Sequence, residues 1–147
     1  MSPELVVRES ITIDAPPEKV WEVLTEPRWT KQYMYGCEIV SDWKPGGSFA
    51  WRGGDGITYV KGTLRASEPG ARLEFTTFDL NAKDLQDIPS NYTTVTMVLS
   101  RTGKSTELGV AQGDFAAVAN GEKRYSEAQG WGAILKQIKQ LAEQRSA

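Results

Sequence analysis

The sequence predicts an α+β fold in which a curved antiparallel sheet of about seven strands wraps around a long C-terminal helix. The order of the patterns supports this: an alternating segment comes first, then a stretch for two short helices, then strand-like segments from about 36 to 112. An amphipathic stripe over 130–144 supports it further, because apolar side chains recur there at helical spacing. A strand meander of this kind needs one face covered, so we expect the last helix to lie across it.

Alternation and prolines define the first elements. Residues 4–14 alternate between apolar and polar side chains, which predicts a half-buried strand. The segment APPEKVWEVLTEP then predicts a short helix, because proline suits a first helical turn and Pro27 ends the helix. The segment PRWTKQYM predicts a second short helix directly after it.

The middle of the chain predicts about six antiparallel strands joined by turns. Connections such as KPGG, GGDG and EPGA contain glycines, which tolerate the positive φ of tight turns. The strand-like segments are CEIVSDW, SFAWR, ITYVKGTLRAS, RLEFTTFDL, YTTVTMVLSR and TELGVAQG. The final helix is predicted from roughly 121 to 144. No repeat or linker interrupts this order, so we expect one domain over 1–147.

Composition excludes several classes of protein. The 147 residues are 39% hydrophobic and 24% charged, as in a globular domain. A net charge of −2 gives no reason to expect nucleic acid or an anionic membrane as partner. No apolar run suggests membrane insertion, and the start does not resemble a secretory leader. The single cysteine, Cys37, forms no intrachain disulfide, so we expect a cytoplasmic protein.

The lack of histidine removes the usual general base, zinc ligand and partner of a nucleophile. Cys37 is therefore interpreted as a small hydrophobic residue rather than a nucleophile. The glycines of RGGDG predict a hairpin turn rather than a phosphate cradle, since no helix follows them. Asp84 and Asp87 lie among no convergent acidic ligands. We assign no catalytic residue, metal or cofactor.

Large apolar side chains are the candidate ligand-binding residues. They fall on elements that should face one another, and apolar walls with a few polar groups are typical of small-molecule cavities. The alternative is that they fill a solid core, since aromatic residues are usually buried. The candidates are Trp21, Tyr33, Trp43, Phe49, Trp51, Tyr59, Phe75, Met97, Trp131 and Leu135, together with Glu9.

Glu9 is the one charged candidate. By alternation, Glu9 falls on the same face of the first strand as the apolar residues. It therefore either points into a cavity, where burial would raise the pKa of its carboxyl group, or lies in water where the strand bulges. Arg52, Lys61 and Arg65 are expected to be solvated, the alternative being a counter-charge for a ligand. The connection 79–92 is long, and is either a lid or an ordinary surface loop.

Six segments, in order, resemble one known family over roughly 9–144. They are IDAPPEKVWEVLTEP, WKPGGSF, GTLRASEPGARLEFTT, TTVTMVLS, QGDF and GWGAILKQIKQLAE. The family is the START-like, or SRPBCC, superfamily, in particular the domain homologous to the activator of the Hsp-ninety ATPase. The resemblance implies the helix-grip fold, with a deep cavity between the sheet and the long helix. It does not imply one activity.

Three functions from different classes follow from the resemblance. The first is a binding protein that holds a hydrophobic small molecule, such as a lipid or a polyketide-like compound. The second is an enzyme of the cyclase, aromatase or hydrolase kind, in which Glu9, Tyr59 or Arg52 moves protons. The third is a module that activates a chaperone ATPase. The chain has no room for a separate chaperone-binding domain, so we do not expect chaperone binding. A homodimer through sheet edges or exposed aromatics stays open.

Overall fold

The computed structural model describes residues 5–80, 85–119 and 121–146. Seven antiparallel strands form a sheet in the order β1-β7-β6-β5-β4-β3-β2. The first strand thus pairs with the last, as one continuous meander requires. The predicted fold class is confirmed. The strands are β1 (Val7–Ile13), β2 (Glu38–Ser41), β3 (Ser48–Arg52), β4 (Thr58–Glu68), β5 (Arg72–Asp79), β6 (Thr93–Thr102) and β7 (Ser105–Gly113).

The helices lie where proline and amphipathic patterns predicted them. Prolines at the first turns start α1 (Pro17–Thr25) and α2 (Pro27–Tyr33). The predicted segment 121–144 is helical, with an interruption at 128–130 that divides it into α3 (Gly121–Glu127) and α4 (Trp131–Ser146). Gly130 lies in this interruption, where its low helix propensity favours a break. Single 3-10 turns occupy Pro89–Asn91 and Phe115–Ala117.

Helix α4 covers the concave face of the sheet with the stripe that the sequence predicted. Its buried residues are Trp131, Ile134, Leu135, Ile138 and Ala142, and Leu141 is partly buried against the same cluster. The helix packs against β1, α1 and α2. Ile138 and Leu108 of β7 are both fully excluded from solvent and belong to the same core. This part of the interface is solid.

Two irregularities bend the sheet. The pairing of β3 with β4 shifts register at Trp51–Arg52, and the pairing of β4 with β5 shifts between Leu64 and Ala66. Such bulges increase strand twist and turn side chains toward new neighbours. The shift at Trp51–Arg52 lies at the end of the sheet where the concave face is open.

Candidate ligand-binding cavity

A cavity of about 1000 Å³ lies at this open end of the sheet. The strands β3 to β7 form one wall, the connection after α2 forms a second, and α3 with the first turn of α4 forms a third. Two cationic side chains of α3, Lys123 and Arg124, line it, as do Asp55 and Asp79 on the sheet side. The cavity therefore has an apolar interior and a charged rim.

Buried aromatic rings form the apolar wall. Trp51 and Phe75 line the cavity, and both are almost wholly excluded from solvent. Phe49 stacks on Phe75 with ring centroids 3.9 Å apart and meets Trp51 edge to face at 5.7 Å. Tyr33 packs edge-on against Trp51 from behind at 6.3 Å. Edge-to-face and stacked pairs of this kind stabilise the packing of the wall.

The hydroxyl of Tyr33 is bound within the core rather than in the cavity. It donates a hydrogen bond of 2.9 Å to the carbonyl oxygen of Leu24. Complete burial raises the pKa of this phenol far above its usual range. Tyr33 is therefore a neutral structural donor that joins α1 to α2.

A chain of hydrogen bonds runs along the sheet next to the aromatic wall and ends at α4. The indole Nε1 of Trp131 donates to Gln112 Oε1 at 2.8 Å. Gln112 Nε2 donates to Thr93 Oγ1 at 3.1 Å, and Thr93 Oγ1 lies 3.0 Å from Thr77 Oγ1. All four residues line the cavity, and Thr93 is almost fully buried. They place a polar strip beside the aromatic wall.

The mouth of the cavity holds a second polar group around the turn between β3 and β4. The hairpin turn predicted for RGGDG is present, with Gly56 N donating to Gly53 O at 2.9 Å. Tyr59 Oη donates to Asp55 Oδ2 at 2.5 Å. This bond lowers the pKa of Asp55 and raises that of Tyr59. Partial burial, followed by the charge of Asp55, raises the pKa of the nearby Cys37 thiol, which therefore stays protonated and weakly nucleophilic.

Only part of the predicted site lies on the cavity. Trp51, Tyr59, Phe75 and Trp131 line it. Tyr33, Phe49, Met97 and Leu135 are buried in the core behind it, and Trp21 and Trp43 pack partly buried against the same core. Glu9 is exposed on β1 and lies outside this cavity, on a shallow groove of the sheet with Ser10 and Thr96. The geometry gives Glu9 no contact with the main cavity.

Sequence reasoning missed Thr77, Thr93 and Gln112. The alternation of inward- and outward-facing residues along the strands could have identified them. Thr77 follows Leu73 and Phe75 on the inward face of β5, Thr93 precedes Val95 and Met97 on β6, and Gln112 follows Leu108 and Val110 on β7. An inward face that changes from apolar to polar at the same end of three neighbouring strands predicts a polar strip there.

The connection between β5 and β6 is partly described. Leu85 lines the cavity, and Asp87 forms an ion pair with Lys61. Tyr92 Oη also donates to Asp87 at 2.5 Å. These contacts hold 85–92 against the sheet. They also give the Lys61 side chain a partner within the protein. Residues 81–84, including Asp84, lie outside the described residues.

Tyr35 has an unusual backbone conformation at the mouth. Its φ of 51° is in the left-handed region, and its side chain is 80% exposed although it lines the cavity. A Cβ on Gly130 would stand 3.6 Å from Tyr35 Oη, so the ring extends toward the connection between α3 and α4. A strained, exposed ring at a cavity mouth is a candidate for function rather than for stability.

Replacing Tyr35 by glycine is expected to leave the free energy of unfolding unchanged or to raise it by up to about 1 kcal/mol, because glycine adopts positive φ without strain. Urea unfolding measures this. Alanine at the same position is the matched variant, since it also lacks the ring but keeps a Cβ. It should be less stable than the glycine variant by roughly 1 kcal/mol. An alanine variant as stable as the glycine variant would contradict the assignment of strain.

Within 5–80, 85–119 and 121–146, no helix has the length and apolarity needed to cross a bilayer. Over those same residues, no three His, Cys, Asp or Glu side chains group as ligands for a metal ion.

Comparison with known proteins places this architecture in a family. The family model described as "Activator of Hsp90 ATPase homolog 1-like protein" matches residues 14–143. The solved structure of ChR145 from Cytophaga hutchinsonii is 32% identical, with a TM-score of 0.76 over 99% of this chain and 98% of that one. MLL2253 from Mesorhizobium loti is 23% identical, with a TM-score of 0.77 over 97% of this chain and 99% of that one.

A more distant structure is that of PFC0360w, an HSP90 activator from Plasmodium falciparum. It is 18% identical, with a TM-score of 0.66 over 91% of this chain and 93% of that one, and at this identity it shows the fold alone. The comparison with curated proteins finds no match. The family match covers most of the sequence and agrees with the observed helix-grip architecture. The chain belongs to the family of Activator of Hsp90 ATPase homolog 1-like proteins.

Proposed function

We propose that this protein binds an apolar, ring-containing small molecule in the cavity between the sheet, α3 and the first turn of α4. The observation that carries the proposal is an open cavity of about 1000 Å³ walled by buried aromatic rings. Ligand sites are concave, mostly apolar and roughly 300–1000 Å³ in volume, with a few polar groups that orient the ligand. This cavity has all of these properties.

The form of the walls favours a flat ligand. Trp51 and Phe75 lie at the cavity wall, and each packs against Phe49 and against the other. Flat ring systems gain contact area against such a surface at little cost in conformational entropy. A polyketide-like or other fused-ring compound therefore fits better than a flexible lipid chain.

An enzyme that uses the same cavity is the second candidate, favoured by the hydrogen-bonded pair of Tyr59 and Asp55 at the mouth. Because Asp55 accepts the hydrogen bond of the phenol and raises the pKa of Tyr59, this phenol is a weaker proton donor than a free tyrosine. Of the other residues proposed for proton transfer, Glu9 and Arg52 are exposed and outside the cavity lining. We therefore place binding first. The absence of chaperone binding stays a prediction.

Narrowing the cavity should weaken binding without unfolding the protein. Ala128 lines the cavity from the connection between α3 and α4. Replacing it by tryptophan fills part of the space, so the affinity for an uncharged aromatic probe should fall roughly tenfold or more, since each 1.4 kcal/mol of lost contact is a factor of ten. The measurement is a fluorescence titration with N-phenyl-1-naphthylamine, which brightens in apolar surroundings.

Gln129 provides the control. It neighbours Ala128 in sequence, but its side chain is exposed and lies outside the cavity lining. Gln129→Trp should bind the probe as the unmodified protein does. If the unmodified protein shows no saturable binding, or if the two tryptophan variants bind equally well, the cavity is not the binding site and the proposal is wrong.

A further inference from the structure

We infer that the ligand of this cavity carries an acceptor oxygen, of the ketone or quinone class, which receives hydrogen bonds from the strip formed by Thr77, Thr93 and Gln112. The inference deepens the proposed function and rests on it. It goes further because it specifies the polar chemistry of the ligand, where the aromatic wall specifies only its shape. The observation that carries the inference is the number of donor protons in the hydrogen-bond chain.

Trp131 fixes the direction of the chain at one end. An indole N–H donates and cannot accept, so the side-chain atom of Gln112 that lies 2.8 Å from it must be the carbonyl oxygen. The other terminal atom of Gln112 is therefore the amide nitrogen, which only donates. It lies 3.1 Å from Thr93 Oγ1, and Thr93 must be the acceptor.

The two threonine hydroxyls then leave one proton over. Thr77 and Thr93 have two hydroxyl protons between them, and their mutual bond of 3.0 Å uses one, whichever residue donates. The remaining hydroxyl proton has no acceptor among the described residues. Gln112 likewise uses one of its two amide protons in the bond to Thr93. The strip therefore presents two donors that no residue within the described parts of the chain satisfies.

A ligand that fills the cavity has to satisfy these donors. Water can accept both protons while the cavity is solvated, but a flat apolar ring that displaces water leaves them unpaired. An unpaired buried donor costs more than its hydrogen bond contributes when made. A carbonyl oxygen has two lone pairs and no proton, so it is suited to accept from the hydroxyl and the amide together.

The rim of the cavity carries charges of both signs. Lys123 and Arg124 line the α3 side and Asp55 and Asp79 line the sheet side, so the donor strip rather than the rim specifies the polar chemistry of the ligand. The aromatic wall and the donor strip thus describe one molecule, a fused-ring ketone or quinone.

A matched pair of probes tests this inference. Fluorene and 9-fluorenone have the same ring skeleton and differ at one position, where fluorenone has a carbonyl group. We expect 9-fluorenone to displace N-phenyl-1-naphthylamine from the unmodified protein with about tenfold higher affinity than fluorene, as one or two neutral hydrogen bonds allow. In the double variant Thr77→Val with Thr93→Val the preference should fall to about threefold, because the hydroxyl donor is lost while the amide donor of Gln112 remains. Valine keeps the branched shape of threonine but lacks the hydroxyl.

The control is Thr94→Val, on the outward face of β6 and outside the cavity lining. It should keep the full preference for 9-fluorenone. Equal affinities of the two probes for the unmodified protein would overturn the inference. This comparison does not depend on the folding of any variant. An undiminished preference in a folded double variant would also overturn it. If neither probe nor the naphthylamine binds, the proposed function itself fails, and the inference fails with it.

Discussion

Replacing Gly62 by alanine is expected to lower the free energy of unfolding by about 3 kcal/mol or more. A Cβ at this position would stand 1.8 Å from the carbonyl oxygen of Thr76 and 2.5 Å from its carbonyl carbon. Both are backbone atoms of the neighbouring strand, so no rotation of a side chain relieves the clash. Strands β4 and β5 would have to separate.

The contact at Gly62 also positions the cavity wall. Thr63 N donates to Thr76 Oγ1 at 2.8 Å, which holds the two strands together at this point. Thr77, the next residue of β5, lines the cavity. Any separation of β4 from β5 therefore moves part of the donor strip. We expect the alanine variant, where it folds, to bind N-phenyl-1-naphthylamine more weakly as well.

Gly109 offers a matched glycine-to-alanine control in the same sheet. It lies in β7, and an added Cβ there would have no atom within 4 Å. Gly109→Ala should leave the free energy of unfolding unchanged or raise it by up to about 1 kcal/mol, because alanine restricts the unfolded chain. Urea unfolding of both variants gives the comparison. Equal stabilities would show that β5 moves at Thr76 at little cost in free energy. That result would contradict a tight contact between Gly62 and the backbone of Thr76.

The fold could be predicted because its signals are local and repeated. The stripe from Trp131 to Ala142 has helical spacing, and its buried members are the predicted ones. The strands alternate with period two, and turns with glycine separate them. Prolines mark the starts of α1 and α2. Each of these signals lies within a few residues, so one sequence is enough to detect it.

The site was harder to predict because it depends on where two surfaces fail to meet. Phe49 and Phe75 lie on the same face of the sheet and stack on one another, but only Phe75 lines the cavity. Parity also places Glu9 with the apolar residues of β1, and the structure leaves it exposed. No local pattern distinguishes a ring in the core from a ring at a cavity edge. That distinction depends on the bend of the sheet and on the break between α3 and α4.

Helix α4 therefore has two different surroundings along one stripe. Its first residue, Trp131, lines the cavity and donates a hydrogen bond to the polar strip. The later residues Leu135, Ile138 and Ala142 are buried and do not line the cavity. The two regions should respond differently to substitution. Changes at the start of the helix should alter binding, whereas changes further along should alter stability alone.

Ile138→Ala tests the second region, and it is expected to lower the free energy of unfolding by about 3 kcal/mol. Ile138 is 0% exposed, so removing its side chain leaves a space that the packed core does not close. The midpoint of thermal unfolding should fall by roughly 6–12 °C, given about 2–4 °C per kcal/mol for a domain of this size.

Gln137 is the exposed neighbour on the same helix, and Gln137→Ala should change the stability by no more than about 0.5 kcal/mol. Below their unfolding temperatures, both variants should bind N-phenyl-1-naphthylamine with unchanged affinity, because neither residue lines the cavity. A loss of binding in a folded Ile138→Ala protein would mean that the cavity extends along the helix. A small loss of stability would mean that this end of the interface is loosely packed. Either result would contradict the division of α4 into a cavity wall and a solid core.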